Sequence, residues 1–62
     1  TDNNEIEQIV DRVISENSQS VEDFKAGKDR AIGFLVGQAM KLSKGKANPK
    51  IVTDMILSKI SS

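Results

Sequence analysis

The 62 residues contain no cysteine and no histidine. Without cysteine there is no disulfide framework. With both types missing, the usual zinc ligand sets, the Cys/His and Ser/His/Asp constellations and the commonest general base near neutral pH are excluded. The chain is therefore expected to carry no catalytic residue and no metal site of its own. No apolar run approaches the roughly 20 residues that cross a bilayer, and the N-terminus lacks the basic-then-apolar order of a signal segment. The sequence reads as soluble and cytoplasmic, with no membrane partner. It is also short. Below roughly 70 residues one core rarely supplies more than about 3 to 5 kcal/mol, so a single domain over residues 1–62 must rely on compact helix packing or on partners. A start at Thr1 rather than methionine fits a processed start or a piece of a longer protein.

What is present is charge, and its order is uneven. Asp2, Glu5, Glu7, Asp11, Glu16, Glu22 and Asp23 precede residue 25 with Arg12 alone against them, while Lys25, Lys28, Arg30, Lys41, Lys44, Lys46, Lys50 and Lys59 follow with only Asp29 and Asp54. Two readings are open: a bundle whose acidic first helix faces basic later ones, or a basic face for a polyanion. Glu7 and Asp11, one helical turn apart, lack the spacing of a calcium loop and read as a solvated acidic face.

Ile6, Ile9, Val10, Val13 and Ile14 recur at i, i+3, i+4, i+7 and i+8, which predicts an amphipathic helix. Asn3 or Asn4 can cap it, Glu5 and Glu7 suit its first turn, and Asn17 is its expected left-handed stop. Ser20 to Asp23 is a weak capping box for a short second helix that Gly27 closes. A third helix, from Lys28 or Asp29 to Ser43, repeats the spacing with Ile32, Leu35, Val36, Ala39 and Met40, and should be central. Gly45 is its expected stop. Asn48 followed by Pro49 starts a fourth helix reaching about Ile60, with Ile51, Val52, Met55, Ile56, Leu57 and Ile60 as its apolar residues. Ser61 and Ser62 read as a frayed end. No segment alternates as a half-buried strand does. The fold class is all-α, a compact bundle of three to four short helices.

Three features stand out as candidate function. Gly33 and Gly37 lie one turn apart inside a helix, each costing roughly 1 kcal/mol relative to alanine. Either another helix crosses closely there, or the backbone of a ligand approaches. They give no phosphate-loop fingerprint, because no strand precedes them and the G-K-S/T ending is missing. At about 100° per residue, Arg30, Gly33, Gly37, Lys41 and Lys44 fall within roughly 60° of one another, opposite Ile32, Leu35, Val36 and Ala39. Bare backbone flanked by cations suits a phosphodiester chain. Phe34 projects near this stripe, to stack on a base or to pack against the second helix. Finally, Lys44, Lys46 and Lys50 cluster at the turn into the fourth helix, either as a solvated turn or as a phosphate site with its free N–H groups. Lys50 opposes the macrodipole there, with no local explanation.

Residues 21–50, and above all Lys25-Ala-Gly-Lys28, Gly33-Phe-Leu-Val-Gly-Gln-Ala-Met-Lys41 and Lys44-Gly-Lys-Ala-Asn-Pro49, closely resemble the tail domain of the GatB/YqeY type found in B subunits of aspartyl/glutamyl-tRNA(Asn/Gln) amidotransferases. The resemblance extends from Ile9 to Ile60 and departs at Ser18-Gln19, where the family often has Pro-Lys. It implies a helical fragment from the C-terminus of a larger subunit. The parent would use ATP and magnesium, held outside this fragment, to activate the carboxyl of Glu-tRNA(Gln) or Asp-tRNA(Asn) for amidation, together with A and C subunits. The tail's implied role is non-catalytic contact with tRNA(Gln) or tRNA(Asn). With the basic-face residues, the candidates for RNA contact are Lys25, Lys28, Arg30, Gly33, Gly37, Gln38, Lys41, Lys44, Lys46 and Lys50; the resemblance also covers Gly45, Asn48 and Pro49. A freestanding YqeY-like helical protein, and a protein-docking domain that holds a partner through the stripe of Gly33 and Gly37 without RNA contact, are the alternatives.

Overall fold

The computed structural model describes residues 3–61 and contains four helices: α1 (Asn3–Glu16), α2 (Ser18–Lys25), α3 (Arg30–Leu42) and α4 (Pro49–Ser61). The all-α class follows from the two periodic stripes. Ile6, Val10 and Val13 of α1 meet Leu35 and Ala39 of α3 and Val52, Ile56 and Ile60 of α4 in one buried cluster, which Val21 of α2 and Ala47 complete. As expected, α3 is central: each of the other helices packs more extensively against it than against any other. In α4 the buried set is narrower than the apolar count suggests. Val52, Ile56 and Ile60 face inward at i, i+4 and i+8, whereas Ile51 and Leu57 remain exposed.

Helix boundaries differ from the sequence reading at several points. Asn3 and Asn4, the expected caps of α1, both lie inside the helix. Asn17 is not left-handed: at φ −128° it ends α1 because its backbone N–H and its side-chain Nδ2 both donate to the carbonyl of Val13, at 3.0 and 2.9 Å. The chain then turns straight into α2 at Ser18, two residues before the expected capping box. Ser20 is thus within the helix, and Asp23 accepts from Gln19 Nε2 at 3.0 Å. Gly27 does close α2. At φ +103° it allows Lys28 N–H to reach Asp23 O and its own N–H to reach Phe24 O, both at 3.0 Å, the paired bonds of a Schellman stop.

The same motif ends α3 one residue earlier than the glycine pattern implies. Lys44, at φ +58°, takes the left-handed position, its N–H bonding Lys41 O at 3.1 Å while that of Gly45 bonds Met40 O at 2.8 Å. Ser43 braces the turn: its hydroxyl donates to Met40 O at 3.0 Å and accepts from Ala47 N–H at 3.2 Å. The start of α3 is Arg30 rather than Lys28 or Asp29: the N–H groups of Ala31 and Ile32 close three-residue turns on the carbonyls of Lys28 and Asp29, at 3.0 and 3.2 Å.

Asn48 and Pro49 behave as expected. Asn48 Oδ1 accepts from Lys50 N–H at 2.9 Å, and its carbonyl accepts from Val52 N–H at 2.9 Å. Asn48→Ala is expected to lower stability by about 1 kcal/mol, and Asn48→Asp to keep most of it, in denaturant titrations at neutral pH. Ser61 belongs to α4, its hydroxyl donating to Leu57 O at 2.6 Å, while Ser62 lies outside the described residues.

Candidate functional site

Burial of Leu35 and Ala39 determines which side of α3 faces outward. Arg30, Gly33, Phe34, Gly37 and Lys41 are all exposed, and Gln38 is half-buried at the edge of the stripe. A Cβ built on Gly33 or Gly37 would meet nothing within 4 Å. The close helix crossing is therefore excluded among the described residues. The helical cost of roughly 1 kcal/mol per glycine is offset by no contact within the fold.

The cations of the stripe are unengaged as well. Lys25, Lys28, Arg30, Lys41, Lys44 and Lys46 are exposed and make no ion pair with an acid among the described residues. Lys50 differs, and its presence at the start of α4 has a local explanation: Nζ lies 3.8 Å from Asp54 Oδ2 one turn on, in an exposed pair that contributes little. The basic residues form two groups rather than one patch. Lys28 and Arg30 border a shallow depression with Phe34 at the N-terminal end of α3. Lys44 and Lys46 border another with Glu5, Ile9 and Leu42 near its C-terminal end. Between Arg30 and Lys41 the helix rises about 16 Å, with the two glycines in the interval. Phe34 is 49% exposed, so it does not pack away as a core residue, although Ser20 and Asp23 of α2 share its depression.

The acidic first helix meets a basic element at Lys59. Lys59 Nζ of α4 reaches Glu7 Oε2 at 3.1 Å and Asp11 Oδ1 at 3.0 Å. This pairing, 52 residues apart in sequence for Glu7, makes Glu7 and Asp11 a clamp for one ammonium on a face that is solvated as expected. Arg12 pairs with Glu16 within α1 at 3.1 Å. The complementary-bundle reading therefore holds at Lys59, while the α3 stripe stays open to an external polyanion. The hydrogen bonds that Lys59 donates, to Asp11 first and then to Glu7, raise its pKa above the ordinary 10.5. A raised folded value means that the clamp's stabilisation is fully present below pH 10.5 and is lost as pH climbs through the folded pKa. Wild type is expected to be more stable than Lys59→Met at neutral pH and to lose that advantage in denaturant titrations carried well above pH 10.5.

No side chain with a polar or charged group is buried among the described residues, and none of them form a group of three or more acids that could hold a metal. Among the described residues the donor set does not fit magnesium. Among the described residues no helix is long and apolar enough to cross a membrane.

A family profile described as "GatB domain" matches residues 1–60. Among curated proteins, the chain is 61% identical over 57 residues to the B subunit of an aspartyl/glutamyl-tRNA(Asn/Gln) amidotransferase from Clostridium beijerinckii, covering 92% of this chain and 12% of that protein. A protein of the same description from Lactobacillus acidophilus is 55% identical over 62 residues, covering 100% of this chain and 13% of the relative. Another, from Protochlamydia amoebophila, is 51% identical over 61 residues, or 98% of this chain and 12% of the relative. The chain thus spans about an eighth of the length of these relatives. No solved structure matches it. With its helical fold and the family match across nearly its full length, this chain belongs to the GatB domain family, represented in the B subunits of aspartyl/glutamyl-tRNA(Asn/Gln) amidotransferases.

Proposed function

We propose that this domain is a non-catalytic tRNA-binding module from the B subunit of an amidotransferase, positioning Glu-tRNA(Gln) or Asp-tRNA(Asn) for ATP-dependent transamidation in the cytoplasm. The observation that carries this reading is the outer face of α3, where two glycines with open space above them lie between cations that pair with no acid among the described residues. Phosphate contacts of this kind position an RNA without reading its bases. The chemistry, with ATP, magnesium and the A and C subunits, is assigned in this reading to the rest of the enzyme. The relatives' names, which specify tRNA(Asn/Gln), support the choice of RNA.

The glycine positions supply the test. Gly37→Ala is expected to stabilise the fold by about 1 kcal/mol, because helix propensity improves and nothing opposes the added methyl. Gly37→Leu should fold as well and yet bind a tRNA(Gln) transcript at least about tenfold more weakly, by holding the phosphodiester chain away from Arg30 and Lys41. Thermal unfolding and fluorescence anisotropy measured on the same samples separate the two effects. Unaltered affinity in Gly37→Leu would remove the glycines from the interface. A docking surface for protein is the second reading, favoured by the exposure of Ile51 and Leu57 on α4. It requires binding that is insensitive to salt and unaffected by Gly37→Leu.

A further inference from the structure

We infer that the depression at the N-terminal end of α3 is a subsite for one unstacked nucleotide, with its base on the ring of Phe34 and its phosphate against Lys28 and Arg30. This rests on the RNA-binding reading and adds to it a site that recognises RNA structure rather than charge alone.

The two phenylalanines of the chain are treated differently by the fold. Phe24 packs against the core cluster, whereas Phe34 is left 49% exposed. The depression beside it is shallow and open, so a base can enter it from a polymer. Its polar groups are arranged asymmetrically. Lys28 and Arg30 lie at the start of α3, two cations against the single carboxylate of Asp29 that lines the same end. Ser20 and Asp23 stand on the α2 wall. Gln19 Nε2 donates to Asp23 Oδ1 at 3.0 Å, which steadies the carboxylate. That carboxylate repels a phosphate and accepts from the exocyclic amino group of a base, so the nucleotide is oriented with its phosphate toward Lys28 and Arg30 and its base toward α2. A base within an A-form duplex has both faces covered by its neighbours. Only a bulged, looped or terminal nucleotide can offer a free face to Phe34.

The chain has no tryptophan and no tyrosine, so Phe34→Trp introduces a single indole in the depression. The probes are two RNA hairpins, identical except that one carries a single bulged adenosine. The bulged hairpin is expected to quench the indole of Phe34→Trp strongly, and the fully paired one only weakly. Phe34→Leu, with its fold checked by far-UV circular dichroism, should bind the bulged hairpin roughly tenfold more weakly than wild type and the paired hairpin equally well. If wild type binds both hairpins and Phe34→Leu weakens neither or both alike, the subsite is overturned while the RNA-binding reading stands. If wild type binds neither hairpin at low salt, both fall. Should Phe34→Leu fail to fold, the quenching contrast decides, and equal quenching by the two hairpins overturns the subsite.

Discussion

Lys41→Glu combined with Lys46→Glu is expected to weaken tRNA binding by about 30- to 100-fold near physiological salt and to flatten its salt dependence. Each cation that neutralises a phosphate releases condensed counterions and contributes about 0.7 to 0.9 to the slope of log affinity against log salt. If the six unpaired cations Lys25, Lys28, Arg30, Lys41, Lys44 and Lys46 all engage, the wild-type slope is about −4 to −5. Removing two contacts should reduce its magnitude by about 1.5 to 2. The loss should be uniform across tRNA sequences, since phosphate contacts carry no base information. Stability should change little, because both residues are exposed and neither is ion-paired among the described residues. Unchanged affinity and slope in the double variant would remove the C-terminal end of the basic stripe from the interface.

The second large effect concerns the same helix from its inner side. Leu35 is fully buried at the meeting point of α1, α3 and α4, and Leu35→Ala is expected to cost about 3 kcal/mol through lost transfer energy and the cavity left behind. A domain of this size holds only about 3 to 5 kcal/mol. Leu35→Ala should therefore be largely unfolded at 25 °C by circular dichroism, whereas Leu35→Met, which conserves volume, should remain folded. A loss below about 1 kcal/mol in Leu35→Ala would mean that α3 is not the centre of the core. Together the two experiments assign opposite duties to two faces of one helix. Inner-face changes remove the fold and outer-face changes remove the ligand.

That division was legible in the sequence because it depends only on the helical period. Ile32, Leu35, Val36, Ala39 and Met40 define one side, and Arg30, Gly33, Gly37 and Lys41 fall opposite without reference to any other element. Asn48-Pro49 was legible for the same reason, as capping is a matter of adjacent residues. Features decided by packing or by distant partners were not. The glycines signalled a helical cost but could not say whether a neighbouring helix or open space lay above them. Lys44 joins Gly45 at positive φ, a register tied down by Ser43 and by the buried Ala47 that composition does not encode. Asn17 stops α1 through two donors on one carbonyl, which competes with the left-handed geometry expected of asparagine. The Lys59 clamp joins residues from opposite ends of the chain and has no local signature beyond the Glu7 and Asp11 spacing that receives it. By contrast, the Lys50 to Asp54 pair is readable at i, i+4, so the apparent breach of helix electrostatics by Lys50 was softened by a residue in plain view.

The most direct test of the basic, glycine-bearing face is an NMR titration of the isotopically labelled 62-residue chain with unacylated tRNA(Gln), at low and near-physiological salt, with an RNA duplex of equal length as control. Shifts concentrated between Arg30 and Lys50, diminished by salt and larger for tRNA than for duplex, are the expected result. Shifts centred instead on the exposed α4 residues Ile51 and Leu57, or no salt-sensitive shift along α3, would contradict the assignment of that face to RNA.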